Sequence, residues 1–518
     1  MRPIAILVLA LVTNPAVTRG VGAQAVERTD TPKRGTVRFT FDPQTMVWND
    51  AFTPHGRRPL GWALTGDSVG AAAGPTLARI EQDVRTAGGL SGFVASLGKG
   101  LLAVHEERRV TPIGAEVGIT DRLSLGVMVP LVRVQTRARL NLTPAGANVG
   151  ANPRWTTPGA DTVYSAFFSQ FDTALAHLGD SITAGSYGCP GSAQCATARG
   201  VLDRGRTVRL ALGHTVYGVG GDPAPFLPVD TSDGGRAIDS TLLKLQTDLA
   251  TLGAGGFTHA FLLPTSALDA NGLQLLLGDT VFGFGIAPFQ DTRKRLRYFP
   301  GDAELSAKYR LVTSGPYSAA VAVVVRLPTG HLDSPNDLLD VATGDHQTDL
   351  EARVTQELLV GGRLWLNLSV RAAQQRPGQR ERRLAPPEAF LVPFAARARL
   401  KWDPGDYLQV DVAPLLRLSR FFAAGMTASY YTRARDRYAF LSPQDSSAVA
   451  ARLGVPVSPS VPEAGTAERR LRLGWAMSYL GPVFESGLSI EQTVSGRGSV
   501  VPAATVFRLV MRVSRRLF

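Results

Sequence analysis

From Asp302 onward the chain alternates apolar and polar residues with a period of two, in segments broken by turns. In DAELSAKYRL, Glu304, Ser306, Lys308 and Arg310 share one face, and Leu305, Ala307, Tyr309 and Leu311 share the other. After Ser314-Gly315-Pro316 the pattern resumes, with Tyr317, Ala319, Val321, Val323, Val325 and Leu327 in one register. DLEARVTQEL sets Asp349, Glu351, Arg353, Thr355 and Glu357 against Leu350, Ala352, Val354 and Leu358. Beyond Gly361-Gly362, Leu364, Leu366, Leu368 and Val370 oppose Arg363, Asn367 and Arg371. FAARARLKW, YLQVDVAPLL, AAGMTASYYTRA, RRLRLGWAMSYL, FESGLSIEQT and the final TVFRLVMRVSRRLF continue the series. Period two is that of a β-strand whose faces meet different surroundings. Each segment is about ten residues long, the length a tilted strand needs to cross a bilayer.

Soluble antiparallel sheets also alternate. Here strand after strand carries Arg, Lys and Glu on its polar face, and the second half holds no amphipathic helix long enough to cover the apolar one. A closed barrel with lipid outside and a charged, watered lumen satisfies every segment at once. The predicted class is all-β: a closed antiparallel transmembrane β-barrel with a partly helical loop insert. Thirteen strand-like segments are visible, whereas a single-chain barrel with both termini on one side needs an even number. Fourteen is the expectation, within a range of twelve to sixteen. Short turns alternate with long polar connections, falling out of step once between Pro393 and Arg433.

The first half is less regular. GTVRFTFDPQTMVW reads as a first strand, and TLARIEQDVRTAGGL as a short helix in a loop. Two alternating runs flank Thr120-Asp121, the second with a phase slip near Pro130. The chain thus divides into residues 26–142 with N-terminal barrel strands, an insert over 143–301, and C-terminal barrel strands over 302–518. The insert carries helix-like pieces, DTVYSAFFSQFDTALAHL and AIDSTLLKLQTDLATL, and is expected outside the barrel mouth or folded into it.

Met1-Arg2, the apolar run from Pro3 to Val12 and the small-x-small pattern Ala23-Gln24-Ala25 form a signal peptide over residues 1–25, cleaved after Ala25. The run is too short to span a bilayer as a helix. Export to the outer membrane follows. The only two cysteines, Cys189 and Cys195, then lie in an oxidising compartment with a turn-forming Pro-Gly-Ser between them, which predicts a disulfide-closed loop. The formal net charge is +12. The basic residues recur singly along alternating segments instead of clustering, so nucleic acid is not an expected partner.

The polar registers nominate lumen-facing side chains: Glu304, Lys308, Arg310, Glu351, Arg353 and Glu357, then Arg371, Arg397, Arg399, Arg470 and Arg472. Either they form an internal network that holds the barrel in shape, or they line a pathway that selects solutes by charge. The C-terminal strand ending in Phe518 is expected to be read by the barrel-assembly machinery. Its alternation is displaced by one, with Phe507, Leu509, Met511, Val513 and Leu517 on one face and Phe518 on the other.

Catalytic motifs are sparse. Gly66-Asp67-Ser68-Val69-Gly70 matches the G-x-S-x-G pattern, but nothing around it has the strand-turn-helix layout of a nucleophile elbow. Gly179-Asp180-Ser181 closes a helix-like piece. His105-Glu106 lacks the second His of a zinc-protease signature, and no phosphate loop or dinucleotide fingerprint occurs. No enzyme activity, metal or cofactor is therefore expected.

Four stretches come in a familiar order: AEVGITDRLSLGVMVPLV, GDAELSAKYRL, VVVRLPTG, and TDLEARVTQEL after a polar loop. The order resembles the outer-membrane family named for the meta-pathway of phenol degradation, over about Ile113 to Pro130 and Gly301 to Ser369. The resemblance implies a barrel that moves small, hydrophobic or aromatic compounds, distantly similar to the long-chain fatty-acid transporter type. The long insert departs from that pattern. Three functions stay open: a channel or transporter gated by the insert, a structural or surface-binding barrel plugged by it, and a barrel-embedded hydrolase. The expected partners are outer-membrane lipid and a small-molecule solute.

Overall fold

The protein is described from a computed structural model covering residues 27–220, 224–257, 261–288, 293–294, 298–386, 389–481 and 483–517. The expected signal peptide and Phe518 lie outside the described residues. Among these residues no helix is long and apolar enough to cross a membrane.

Twelve strands close into one barrel. They are β1 (Thr36–Phe41, continuing as Gln44–Trp48), β2 (Lys99–Gly118), β3 (Leu123–Thr143), β4 (Ala303–Ser314), β5 (Tyr317–Leu327) and β6 (Asp349–Val360). The ring continues with β7 (Leu364–Gln375), β8 (Tyr407–Arg417), β9 (Phe422–Arg433), β10 (Glu468–Leu480), β11 (Phe484–Arg497) and β12 (Thr505–Arg516). Every strand pairs antiparallel with its neighbours in sequence, and β12 returns to β1, with Thr36 opposite Arg516 and Gln44 opposite Arg508. Closure leaves no edge whose backbone groups would face hydrocarbon unpaired.

The exterior is apolar. Leu305, Val323, Leu350, Leu408, Trp475 and Leu488 project outward, Trp475 at 63% exposure and Leu488 at 53%. Such a row is costly in water and favoured in lipid. Five short turns lie at the end that also carries both termini, and six long connections lie at the other. That asymmetry puts the termini in the periplasm and the long connections outside the cell.

The expected fourteen strands are corrected to twelve. The surplus segment is FAARARLKW. Its strand, Arg397–Asp403, pairs with Gly378–Arg383 and Arg437–Phe440 in a separate three-stranded sheet. Ala398, Leu400 and Trp402 cover a small core of their own there, together with Val449 and Leu453. Alternation alone cannot distinguish lipid from a local core. With this segment removed, short and long connections stay in step.

The slip near Pro130 is also resolved. β3 pairs with β2 from Ser124–Gly118 to Thr143–Lys99 without a register shift. Lower down, Leu125 and Val127 point outward and are exposed; higher up, Val132, Val134, Ala138 and Leu142, which point inward, are the buried ones. The surroundings exchange sides where the strand leaves the membrane, and the strand itself does not slip.

That upper inner face carries a helical cap. α1 (Pro75–Gly88) comes from the first long connection; α2 (Ala160–Thr183), α3 (Ala193–Tyr217), α4 (Asp233–Thr251) and α5 (Ala270–Gly278) come from the insert. They share one core, in which Phe167, Phe171, Leu212 and Leu245 pack with Leu102 and Leu142 of the barrel hairpin. The rings of Phe171 and Phe257 lie 4.7 Å apart. Leu339 and Leu391, from the third and fourth long connections, join this core. Gly220 of the insert meets the backbone of Gly454 in the fifth. The cap therefore ties together five of the six long connections. Cys189, in the connection between α2 and α3, forms a disulfide with Cys195 in the first turn of α3, with Cα atoms 5.1 Å apart.

Candidate functional site

The segment ERTDTP, Glu27–Pro32, has no apolar residue to offer lipid, and it enters the lumen from the periplasmic end. Its contacts come from strands on several sides of the ring. Thr29 donates its amide to Glu357 Oε1 at 3.3 Å and its hydroxyl to Glu357 Oε2 at 2.9 Å, and that hydroxyl also meets the Ser318 hydroxyl. Arg28 Nη1 pairs with Glu485 Oε1 at 2.5 Å, and its carbonyl accepts from the Lys308 ammonium. Glu27 lies 3.7 Å from Arg353 Nη1 and 3.5 Å from Arg371 Nη2. Asp30 bridges Arg28 and Arg38. Thr31 Oγ1 donates to the Asp121 carbonyl at 3.0 Å, fixing the strap at the periplasmic turn.

A second layer lies toward the outer end. Glu304 accepts from Arg326 Nε at 3.0 Å and from Arg353 Nη2 at 3.1 Å. Glu351 is fully buried and is met by Arg326 at 2.7 Å, by Arg353 and by the Tyr407 hydroxyl. Arg326 Nη1 also donates to Tyr407 Oη at 2.6 Å. Charges of both signs are matched along the wall, so ion pairs and hydrogen bonds offset the hydration that these buried groups lose.

The nominated residues thus fall in four places. Glu304, Lys308, Glu351, Arg353, Glu357 and Arg371 meet in one network with the strap. Arg310 sits at the periplasmic rim, donating to the Asp121 carbonyl at 2.6 Å. Arg470 stacks over the Tyr431 ring at 4.7 Å, and Arg472 Nη2 lies 3.9 Å from Met46 Sδ. Arg397 and Arg399 are not on a barrel strand. Arg397 pairs with Glu381 at 3.0 Å in the outer sheet, and Arg399 is exposed on that sheet.

The strap itself was missed, because a polar segment before the first strand looks like a linker. Arg508 was missed too, although it alternates with Phe507 and Leu509; it holds Asp42 through two bonds, at 2.8 and 2.6 Å. Ser68 hydrogen-bonds Ser96 at 2.9 Å in an irregular loop, so no nucleophile elbow forms around it.

Beside the strap remains a cavity of about 390 Å³, lined by β1, β2, β3, β4 and β12 together with Arg353 and Arg371. At the outer mouth Asp302, Asp345 and Asp349 approach one another. Asp302 accepts from the amides of Gly330 and Asp345, both at 2.8 Å, and the Gln375 amide bridges Asp345 at 3.1 Å and Asp349 at 3.3 Å. Burial first, then the neighbouring carboxylates, pushes Asp345 up to about 7.

A closed barrel with an apolar belt and a charged interior is the architecture of an outer-membrane β-barrel. No family model and no curated protein matches the chain. Among solved structures, an outer membrane channel from Pseudomonas putida F1 is similar with a TM-score of 0.41 at 6% identity, over 95% of this chain and 100% of that one. A FadL homologue from Pseudomonas aeruginosa gives 0.26 at 8%, over 93% and 90%. A mutant of TodX, a monoaromatic hydrocarbon channel, gives 0.25 at 10%, over 94% and 91%. All three scores are below 0.5.

Proposed function

We propose that the protein is an outer-membrane channel for small solutes, closed at rest by the strap Glu27–Pro32. One observation carries this: the strap belongs to no strand and is held by ion pairs and side-chain hydrogen bonds. It can leave without breaking a single rung of the barrel ladder, and a cavity already lies beside it. The cap forms the outer vestibule. The resemblance of residues 113–130 and 301–369 to the meta-pathway family supports solutes of hydrophobic or aromatic character. The rival, a plugged structural barrel, rests on the way the cap ties five long connections together.

Conductance in planar bilayers separates the two. The parent chain is expected to conduct weakly, and the triple variant Arg28→Gln, Thr29→Val, Glu357→Gln to conduct several-fold more. Equal, negligible conductance in both would establish the plugged barrel instead.

A further inference from the structure

We infer that the cavity beside the strap is a binding site for a small organic anion with a flat apolar body. The inference rests on the channel reading and names the solute class for that same lumen. Two features of the cavity carry it.

The first is charge. Seven cationic side chains line the cavity against four carboxylates. Each of those carboxylates already has a cationic partner: Asp42 has Arg508, Glu116 has Arg38, Glu304 has Arg353, and Glu27 has Arg353 and Arg371. Arg512 has no carboxylate to itself: Glu485, opposite it on β11, is paired with Arg28, and Asp30 with Arg28 and Arg38. Arg512 forms no ion pair among the described residues, and its Nη1 is buried without a hydrogen-bond partner. A buried guanidinium donor with nothing to bond is costly, and an incoming carboxylate would satisfy it with two parallel bonds.

The second is the opposite chemistry on one wall. The inner face of the β2–β3 hairpin offers Val110, Pro112, Met128 and Pro130, with Gly114 and Gly126 presenting no side chain between them. The one polar side chain that this face offers the cavity, Glu116 opposite Gly126, is already held by Arg38 and Ser124, so a hydrated inorganic ion gains little from the rest of the surface. A planar hydrocarbon ring gains more, by releasing water from both surfaces. At about 390 Å³ the space is of the size that small-molecule sites occupy. A cationic side and an apolar side in one compartment select a ligand that has both.

The test is equilibrium binding to the full chain in detergent, by calorimetry, with benzoate, acetate and benzyl alcohol as probes. Benzoate is expected to bind at least tenfold more tightly than acetate, which lacks the ring, and than benzyl alcohol, which lacks the charge. Arg512→Gln should weaken benzoate at least tenfold and leave benzyl alcohol unchanged, with heat-modifiable migration on a gel confirming that the variant is folded. Acetate binding as well as benzoate would reduce the site to a simple anion site, and benzyl alcohol binding as well would remove the role of charge; either overturns the proposal. The comparison of three probes on the parent chain stands if the variant fails to fold. Binding is read without flux, so a channel that conducts but ignores benzoate sinks this inference alone.

Discussion

Arg28 and Glu485 are 457 residues apart in sequence and 2.5 Å apart in the lumen, with 6% and 13% of their side chains exposed. The pair joins the start of the described chain to β11 and holds the strap across the barrel. Removing one member of a buried pair leaves the other charge uncompensated, at a cost of about 3–5 kcal/mol. The strap can relieve that cost by swinging out. Glu485→Ala should therefore speed hydrogen exchange at the Thr29 amide by roughly a hundredfold or more, with the unfolding midpoint of the barrel unchanged. An unchanged exchange rate would mean that the pair does not retain the strap.

Lipid contact is tested at Leu488, which is 53% exposed on β11, four residues in from the strand's start at Phe484. Leu488→Arg should cost about 2–4 kcal/mol in urea titrations of the protein folded into vesicles. Val455, at 50% exposure, lies in an outer connection, and Val455→Arg should stay within about 0.5 kcal/mol. Equal effects at the two sites would contradict the apolar belt.

The outer mouth should loosen as pH rises. Asp345 has its pKa raised to about 7 by burial and by Asp349 and Asp302, so the folded loop holds the proton more tightly than the unfolded chain does. Its contribution is complete below the ordinary aspartate range and is lost as pH climbs from there through about 7. Limited proteolysis of residues 328–348 should be slower at pH 5 than at pH 8, and Asp345→Asn should flatten the difference. A variant with the parent's pH profile would assign the effect to another group.

The cap should melt by itself. Phe171 is fully buried against Phe257, and Phe171→Ala should cost about 3–5 kcal/mol. Near-ultraviolet circular dichroism should report loss of cap packing at a lower temperature, while heat-modifiable migration of the barrel stays as in the parent. Simultaneous loss of both signals would show that cap and barrel are one cooperative unit.

Much of the barrel was legible in the residues. Glu351, Arg353 and Glu357 alternate with Leu350, Ala352 and Val354, and a strand's pleat sends such sets to opposite faces whatever surrounds it. The long helices α2 and α4 were also visible, from their apolar spacing. α3 was not, since Cys189, Pro190 and Gly191 just before it suggested a loop and its Arg residues dilute the apolar stripe.

What each face meets was decided only by the closed fold. Leu125 and Leu142 alternate with polar neighbours in the same way, yet one faces the membrane and the other the cap, because β3 outruns the bilayer. Leu400 alternates like Leu366 and packs on a small core outside the barrel. The strap's place in the lumen has no local signature at all, since Arg28 finds Glu485, Lys308 and Glu357 only after twelve strands have closed around it. Periodicity is a property of neighbours in sequence, whereas solvent, lipid, core and counter-charge are properties of neighbours in space.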